Sequence, residues 1–195
     1  YEVTGGEIRK DGRLISDYPL EELRKSFGFV PQRAVLFYGS IIDNMRWAKE
    51  DATLDEIKKA IEIAQAKEFV EKLPDKYQSI IAQGGKNFSG GQRQRLTIAR
   101  ALVGSPEILV LDDSFSALDY ATDAKLRKAL KENCKDITTL IVSQRAHTIQ
   151  NADQIIVLDD GNVAGIGTHD KLLESCNVYQ EIYLSQVSSE EDSHD

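Results

Sequence analysis

The chain has 195 residues, 41% of them hydrophobic and 29% charged, and its 32 Asp and Glu outnumber 24 Lys and Arg for a net charge of -8. That composition excludes a disordered or fibrous chain, and the acidic balance argues against nonspecific nucleic-acid binding, which rests on basic side chains neutralising phosphates. No uncharged run exceeds nine residues, far short of the roughly 18 apolar residues that span a bilayer. Cys134 and Cys176 stand far apart with no metal-ligand spacing, which fits two reduced, incidental thiols. The only methionine is Met45 and residues 1–4 carry no leader pattern, so the expectation is that the natural N terminus lies upstream.

In chain order, Asp11-Gly12 signals a hairpin turn. Leu20 to Ser26 has one-turn apolar spacing, and Phe27 to Val30 reads as a strand ending at Pro31-Gln32. Thr53-Leu54-Asp55-Glu56 is a capping-box pattern, followed by Leu54, Ile57, Ala60, Ile61 and Ala64 on one helical face. Phe69 to Leu73 suits a short helix stopped by Pro74. A polar, glycine-rich loop from Gln83 to Gly91 gives way to Leu96, Ala99, Leu102 and Val103 at helical spacing, with Gly104 and Pro106 as stops. Ile108 to Leu111 is a short continuous apolar run, the pattern of a strand buried in a parallel sheet, and it ends in Asp112-Asp113. Ala121 to Leu130 is helical by period, Thr138 to Val142 strand-like, Ile155 to Ile166 a hairpin around Asp160-Gly161, and Thr168 can cap a helix through Leu173. Ser188 to Asp195 has no apolar residue and is expected to be disordered. Alternating strands and helices predict an α/β fold with a mostly parallel sheet.

Chemistry concentrates at two places. In Ser89-Gly90-Gly91-Gln92 the glycines let backbone approach a ligand, and the free amides of a helix start attract an anion such as phosphate. The same tetrapeptide equally describes a tight loop before a helix. Asp112 and Asp113, at the C-terminal end of a parallel strand, sit where α/β proteins bind ligands and where Mg²⁺ is held beside nucleotide phosphates. An acidic turn facing water is the plain alternative.

The order of motifs resembles the nucleotide-binding domain of ABC transporters. The matching residues are Val30-Pro31-Gln32 (Q-loop), Phe88-Ser89-Gly90-Gly91-Gln92-Arg93-Gln94-Arg95 (signature), Ile108-Leu109-Val110-Leu111-Asp112-Asp113 (Walker B) and Ser116-Ala117-Leu118-Asp119 (D-loop), and the likeness runs from about Gly6 to Leu184. Leu36 to Ile41 and Asn151 to His169 look like the exporter branch. The resemblance implies a P-loop NTPase (RecA-like) parallel-sheet core with an inserted α-helical subdomain, lacking the N-terminal strands and the phosphate loop. Its parts would be a partial ATP-binding core at 1–43, a helical subdomain at 44–92 ending in the signature, the core continued at 93–185, and an acidic tail at 186–195. It implies ATP and Mg²⁺ as cofactors, with Asp112 holding Mg²⁺ through water and Gln32 contacting Mg²⁺ and the attacking water. Ser89, Gly90, Gly91 and Gln92 would close over the γ-phosphate of an ATP bound mainly by a partner domain, and Asp119 would cross that interface. The implied partners are a second nucleotide-binding domain and transmembrane coupling helices, at the cytoplasmic face of the membrane, with no nucleic acid.

Four departures matter. No G-x-x-x-x-G-K-[S/T] motif occurs, so the main electrostatic clamp on β- and γ-phosphates is missing and the chain alone is expected to be inactive. Asp113 stands where the family has its general base, a glutamate, one methylene longer. Gln144 stands at the switch-histidine position and cannot become a cation; His147, three residues on, is out of register. Gln83 replaces an acid in the segment that meets the transmembrane part. Asp113 and Gln144 together point to the degenerate half-site of a heterodimeric exporter whose intact signature serves the partner's site. Two other readings are a regulatory nucleotide-holding module of the same dimer and a soluble chromosome-maintenance or DNA-repair ATPase. The short, heptad-free stretch from Gln32 to Ser89 disfavours the last, which inserts long coiled coils.

Overall fold

Two parallel strands define the centre of the chain. In the computed structural model, which describes residues 4–191 and side chains through Val187, β3 (Phe27–Val30) pairs in parallel with β6 (Ile108–Asp112), Phe27 opposite Ile108 and Val30 opposite Leu111. The sheet continues on the other side of β6 with β7 (Thr138–Val142). Ahead of it lie the hairpin β1 (Arg9–Lys10) and β2 (Arg13–Leu14), turning at Asp11-Gly12 as expected, and α1 (Leu20–Ser26). The chain divides between Leu140 and Ile141 into two compact units.

Between β3 and β6 the first unit inserts α2 (Ile41–Arg46), α3 (Leu54–Ile63) and α4 (Lys67–Glu71), with β4 (Gly39–Ser40) antiparallel to β5 (Ile80–Ile81). The capping box read at Thr53 is formed: its hydroxyl accepts from the Glu56 amide and the Glu56 carboxylate accepts from the Thr53 amide. A second box, Ser40 with Asp43, starts α2 and was not anticipated. Ile57, Ala60 and Ile61 of α3 and Ile41 and Met45 of α2 turn inward against α5 (Gly90–Val103), whose Leu96, Ile98, Ala99 and Leu102 are buried. Burying one such aliphatic side chain contributes about 1.5–3 kcal/mol, so α5 is anchored along its length. It then leads through Gly104 to β6, and α6 (Tyr120–Asn133) follows. Cys134 is buried and unbridged, its thiol pushed up by burial.

In the second unit α7 (Ala146–Ile149) precedes the hairpin β8 (Ile155–Asp159) and β9 (Asn162–Gly167), which has a register shift at Val157/Leu158. One face of the hairpin packs Ile155 and Val157 against Leu172 and Cys176 of the α8 region (α8, His169–Ser175) and Tyr179 of α9 (Asn177–Glu191). Two expectations change here. Thr168 precedes α8 but makes no side-chain cap bond. Helix α9 runs through Glu191, four residues into the stretch expected to be disordered; residues 192–195 lie outside the described residues.

Candidate active site

Because β3 and β6 are parallel and in register, the segments leaving their C-terminal ends emerge side by side. Pro31-Gln32 follows one strand and Asp112-Asp113 closes the other. The Gln32 amide donates from Nε2 to Asp113 Oδ2 at 3.1 Å, which brings together two residues marked in the sequence. Asp113 lies in the left-handed region, with φ 43°, and its carbonyl accepts from the Ser116 hydroxyl at 2.8 Å, closing a tight turn. Gln32 is exposed and Asp112 half-buried.

Beside the Asp113 carboxylate that Nε2 engages, the Oε1 of Gln32 and the carboxylate of Asp112 offer two further oxygen donors at this edge. No group of three or more His, Cys, Asp or Glu side chains that could hold a metal stands among the described residues. A pair of oxygen donors fits Mg²⁺, which keeps several waters and takes phosphate oxygens beside one or two carboxylates.

The signature begins α5. Ser89 is the N-cap, its hydroxyl accepting from the Gln92 amide at 3.2 Å while Gln92 Oε1 accepts from the Ser89 amide at 2.9 Å. Both side chains are thus spent on starting the helix, and Gly90 is exposed with open space where a Cβ would stand. At Gly91 an added Cβ would meet the Ala117 carbonyl at 3.2 Å, so the signature abuts the segment leading to Asp119. Asp119 caps α6: its carboxylate accepts from the Thr122 amide at 2.9 Å and hydroxyl at 2.8 Å, and these bonds hold it below the usual carboxylate range. Upstream, Gln83 is exposed, and Gly84 and Gly85 take φ of 68° and 69° in a tight turn that Arg93 closes by donating to the Phe88 carbonyl at 2.6 Å.

Gln144 lies in the second unit. It is exposed, and its backbone carbonyl accepts from Gln186 Nε2 at 2.7 Å while Gln186 Oε1 accepts from the Ala146 amide at 2.9 Å. His147 is the second residue of α7, with Thr148 buried beside it.

Sequence reading missed the residues that grip the Gln32 segment: Ser114, Gln94 and Arg100. The signal for Gln94 was available, because it shares a helical face with the buried Thr97, Ile98 and Ala101, and a polar residue on such a face needs a partner.

Comparison with known proteins identifies the family and the fold. The ABC transporter family model matches residues 1–116. The chain is 47% identical over 191 residues to the Bacillus subtilis (strain 168) ABC transporter ATP-binding protein YfiB, covering 97% of this chain and 33% of that protein. It is 41% identical over 189 residues to the ATP-dependent lipid A-core flippase of Haemophilus influenzae, covering 96% of this chain and 32% of the flippase. A solved structure of a bacterial Atm1-family ABC exporter with ATP bound superposes with a TM-score of 0.92 at 34% identity, covering 96% of this chain and 33% of that one. The chain therefore spans about a third of the length of the relatives it matches. With the P-loop NTPase fold of an exporter's ATP-binding domain and the strand-end site in place, this chain belongs to the ABC transporter family.

Proposed function

We propose that this chain is the ATP-binding and ATP-hydrolysing domain of a membrane exporter, working by nucleotide-driven dimerisation with a second such domain, and that its own Walker site turns over slowly. Residues 44–92 serve as its helical subdomain, and the domain lies at the cytoplasmic face of the membrane. The observation that carries the reading is the Gln32–Asp113 bond at the ends of two parallel strands. It sets the residue that senses nucleotide beside the residue that would take a proton from the attacking water.

Asp112 and Gln32 would hold Mg²⁺, which when bound would supply positive charge to neutralise the phosphates. Asp113 reaches one methylene less than a glutamate, and its carboxylate already accepts from Gln32, so its hold on a water is poor. Gln144 can donate a hydrogen bond but supplies no positive charge. The N-terminal turn of α5, with Ser89, Gly90, Gly91 and Gln92, faces outward for the γ-phosphate at a partner's site. An open groove lined by Phe29, Phe37 and Trp47 together with Arg24, Lys25 and Arg100, where Phe37 stacks on Trp47 at 4.7 Å, suits a coupling helix of the transmembrane part with both apolar and polar side chains.

The commitment of Asp113 to Gln32 also favours a second reading, a regulatory module that holds nucleotide without turnover. Following nucleotide at each site of the complete transporter separates the two. Slow conversion of ATP to ADP at this chain's Walker site supports the first reading, and ATP held unchanged over many turnovers of the other site supports the second. A transporter that binds no nucleotide at this site contradicts both.

A further inference from the structure

Gln32 is held by more than its bond to Asp113. Ser114, only 1% exposed, donates its hydroxyl to the Val30 carbonyl at 3.1 Å and lies 3.3 Å from the Asp112 carbonyl. It thereby ties the two strand ends together just beyond their last paired residues, Val30 and Leu111. Gln94, also 1% exposed, reaches from the second turn of α5 to the Pro31 carbonyl at 3.4 Å. Further along the same helix, Arg100 donates to the Val35 carbonyl at 2.9 Å. The carbonyls of residues 30, 31 and 35 are each gripped by a side chain, while Gln32 and Arg33 between them face solvent.

The grips act on backbone, so they set the path of the chain. The Pro31 carbonyl and the Gln32 nitrogen belong to one planar peptide unit, so a hold on that carbonyl is passed on to Gln32 with little slack. We propose that Ser114 and Gln94 are positioning residues for Gln32, keeping its amide within reach of both Asp113 and the metal position beside Asp112. Ser114 locks Gln32 to the Walker B strand. Gln94 locks it to the signature helix, three residues past the Gly91 contact with Ala117. A displacement of α5 is then felt at Gln32 through one side chain. This inference rests on the ATPase-domain reading above.

A plain structural role, satisfying two backbone carbonyls and nothing more, makes a different prediction. The test uses the complete transporter with its second nucleotide site disabled, saturating ATP, and Mn²⁺ in place of Mg²⁺ so that bound metal is counted by electron paramagnetic resonance. Ser114→Ala and Gln94→Leu are each measured alone and combined with Gln32→Ala. Each hydrogen bond is worth about 0.5–1.5 kcal/mol, so each single variant should weaken Mn²⁺ affinity roughly two- to twelvefold. In the Gln32→Ala background the same changes should have less than about a twofold effect, because residues acting through one another are not additive. Equal weakening in both backgrounds, or none in either, overturns the proposal. Ser114→Ala removes a single oxygen, so it answers the question even where Gln94→Leu lowers the yield of folded protein. If the unaltered transporter binds no Mn²⁺ with ATP at this site, the ATPase-domain reading fails, and the inference falls with it.

Discussion

Asp113 is a short side chain restrained from two sides. Its backbone occupies the left-handed region that Asp tolerates better than most non-glycine residues, its carbonyl is taken by Ser116 and its carboxylate by Gln32. Its position after Asp112 was legible in the sequence; its partner was not, because the pairing depends on the register of strands nearly eighty positions apart. A local interaction is easier to foresee, and Glu56 is the clearest. Lys49 Nζ donates to Glu56 at 2.6 Å, and the Thr53 amide and hydroxyl add to it, lowering the Glu56 carboxyl from 4.5 to about 2. A carboxyl depressed on folding contributes stability above its unfolded value that is lost as pH falls through the folded one. Thermal melts should therefore show a loss of stability between about pH 4.5 and 2 that is smaller in Glu56→Gln. An unchanged profile in that variant would show that the cap and ion pair add nothing.

At the scale of elements, the site exists because β3 is pressed against the end of α5. A Cβ at Gly28 would meet Pro106 Cγ at 2.8 Å, the Ala101 carbonyl at 2.9 Å and Leu109 Cδ1 at 3.2 Å. Gly28→Ala should destabilise the chain by about 1–3 kcal/mol, as overpacking does, and shift Gln32 from Asp113; a urea melt within 0.5 kcal/mol of the parent would contradict the close approach. Strands β3 and β6 were readable as short apolar runs ending in turn residues, and α3 and α5 by their caps and stops. Helix α2 was missed although Ser40 and Asp43 carry its cap in the sequence. Helix α9 was missed because its apolar residues, Val178, Tyr179, Ile182, Tyr183, Leu184 and Val187, give way to Ser and Glu with no stop signal. A helix seeded by packing, here at Tyr179, propagates into such residues at little cost. The strand-end chemistry was therefore legible, while the side chains bracing it, Ser114 and Gln94, became visible only with β3, β6 and α5 assembled.

At the scale of the whole molecule, no helix among the described residues is long and apolar enough to cross a membrane, and the chain matches a third of its relatives' length. The sequence has no G-x-x-x-x-G-K-[S/T] motif, so calorimetric titration of these 195 residues by themselves should find weak or no Mg-ATP binding. Ordinary micromolar affinity would show that the remaining residues suffice. The central claim is an ATPase domain whose own site is slowed at Asp113 and Gln144. It is tested most directly by Asp113→Glu with Gln144→His in the complete dimeric transporter, reading hydrolysis at this chain's Walker site. The account predicts a rise of roughly tenfold or more, since a positioned base or acid contributes about 10²–10⁴-fold; unchanged turnover at that site would contradict it.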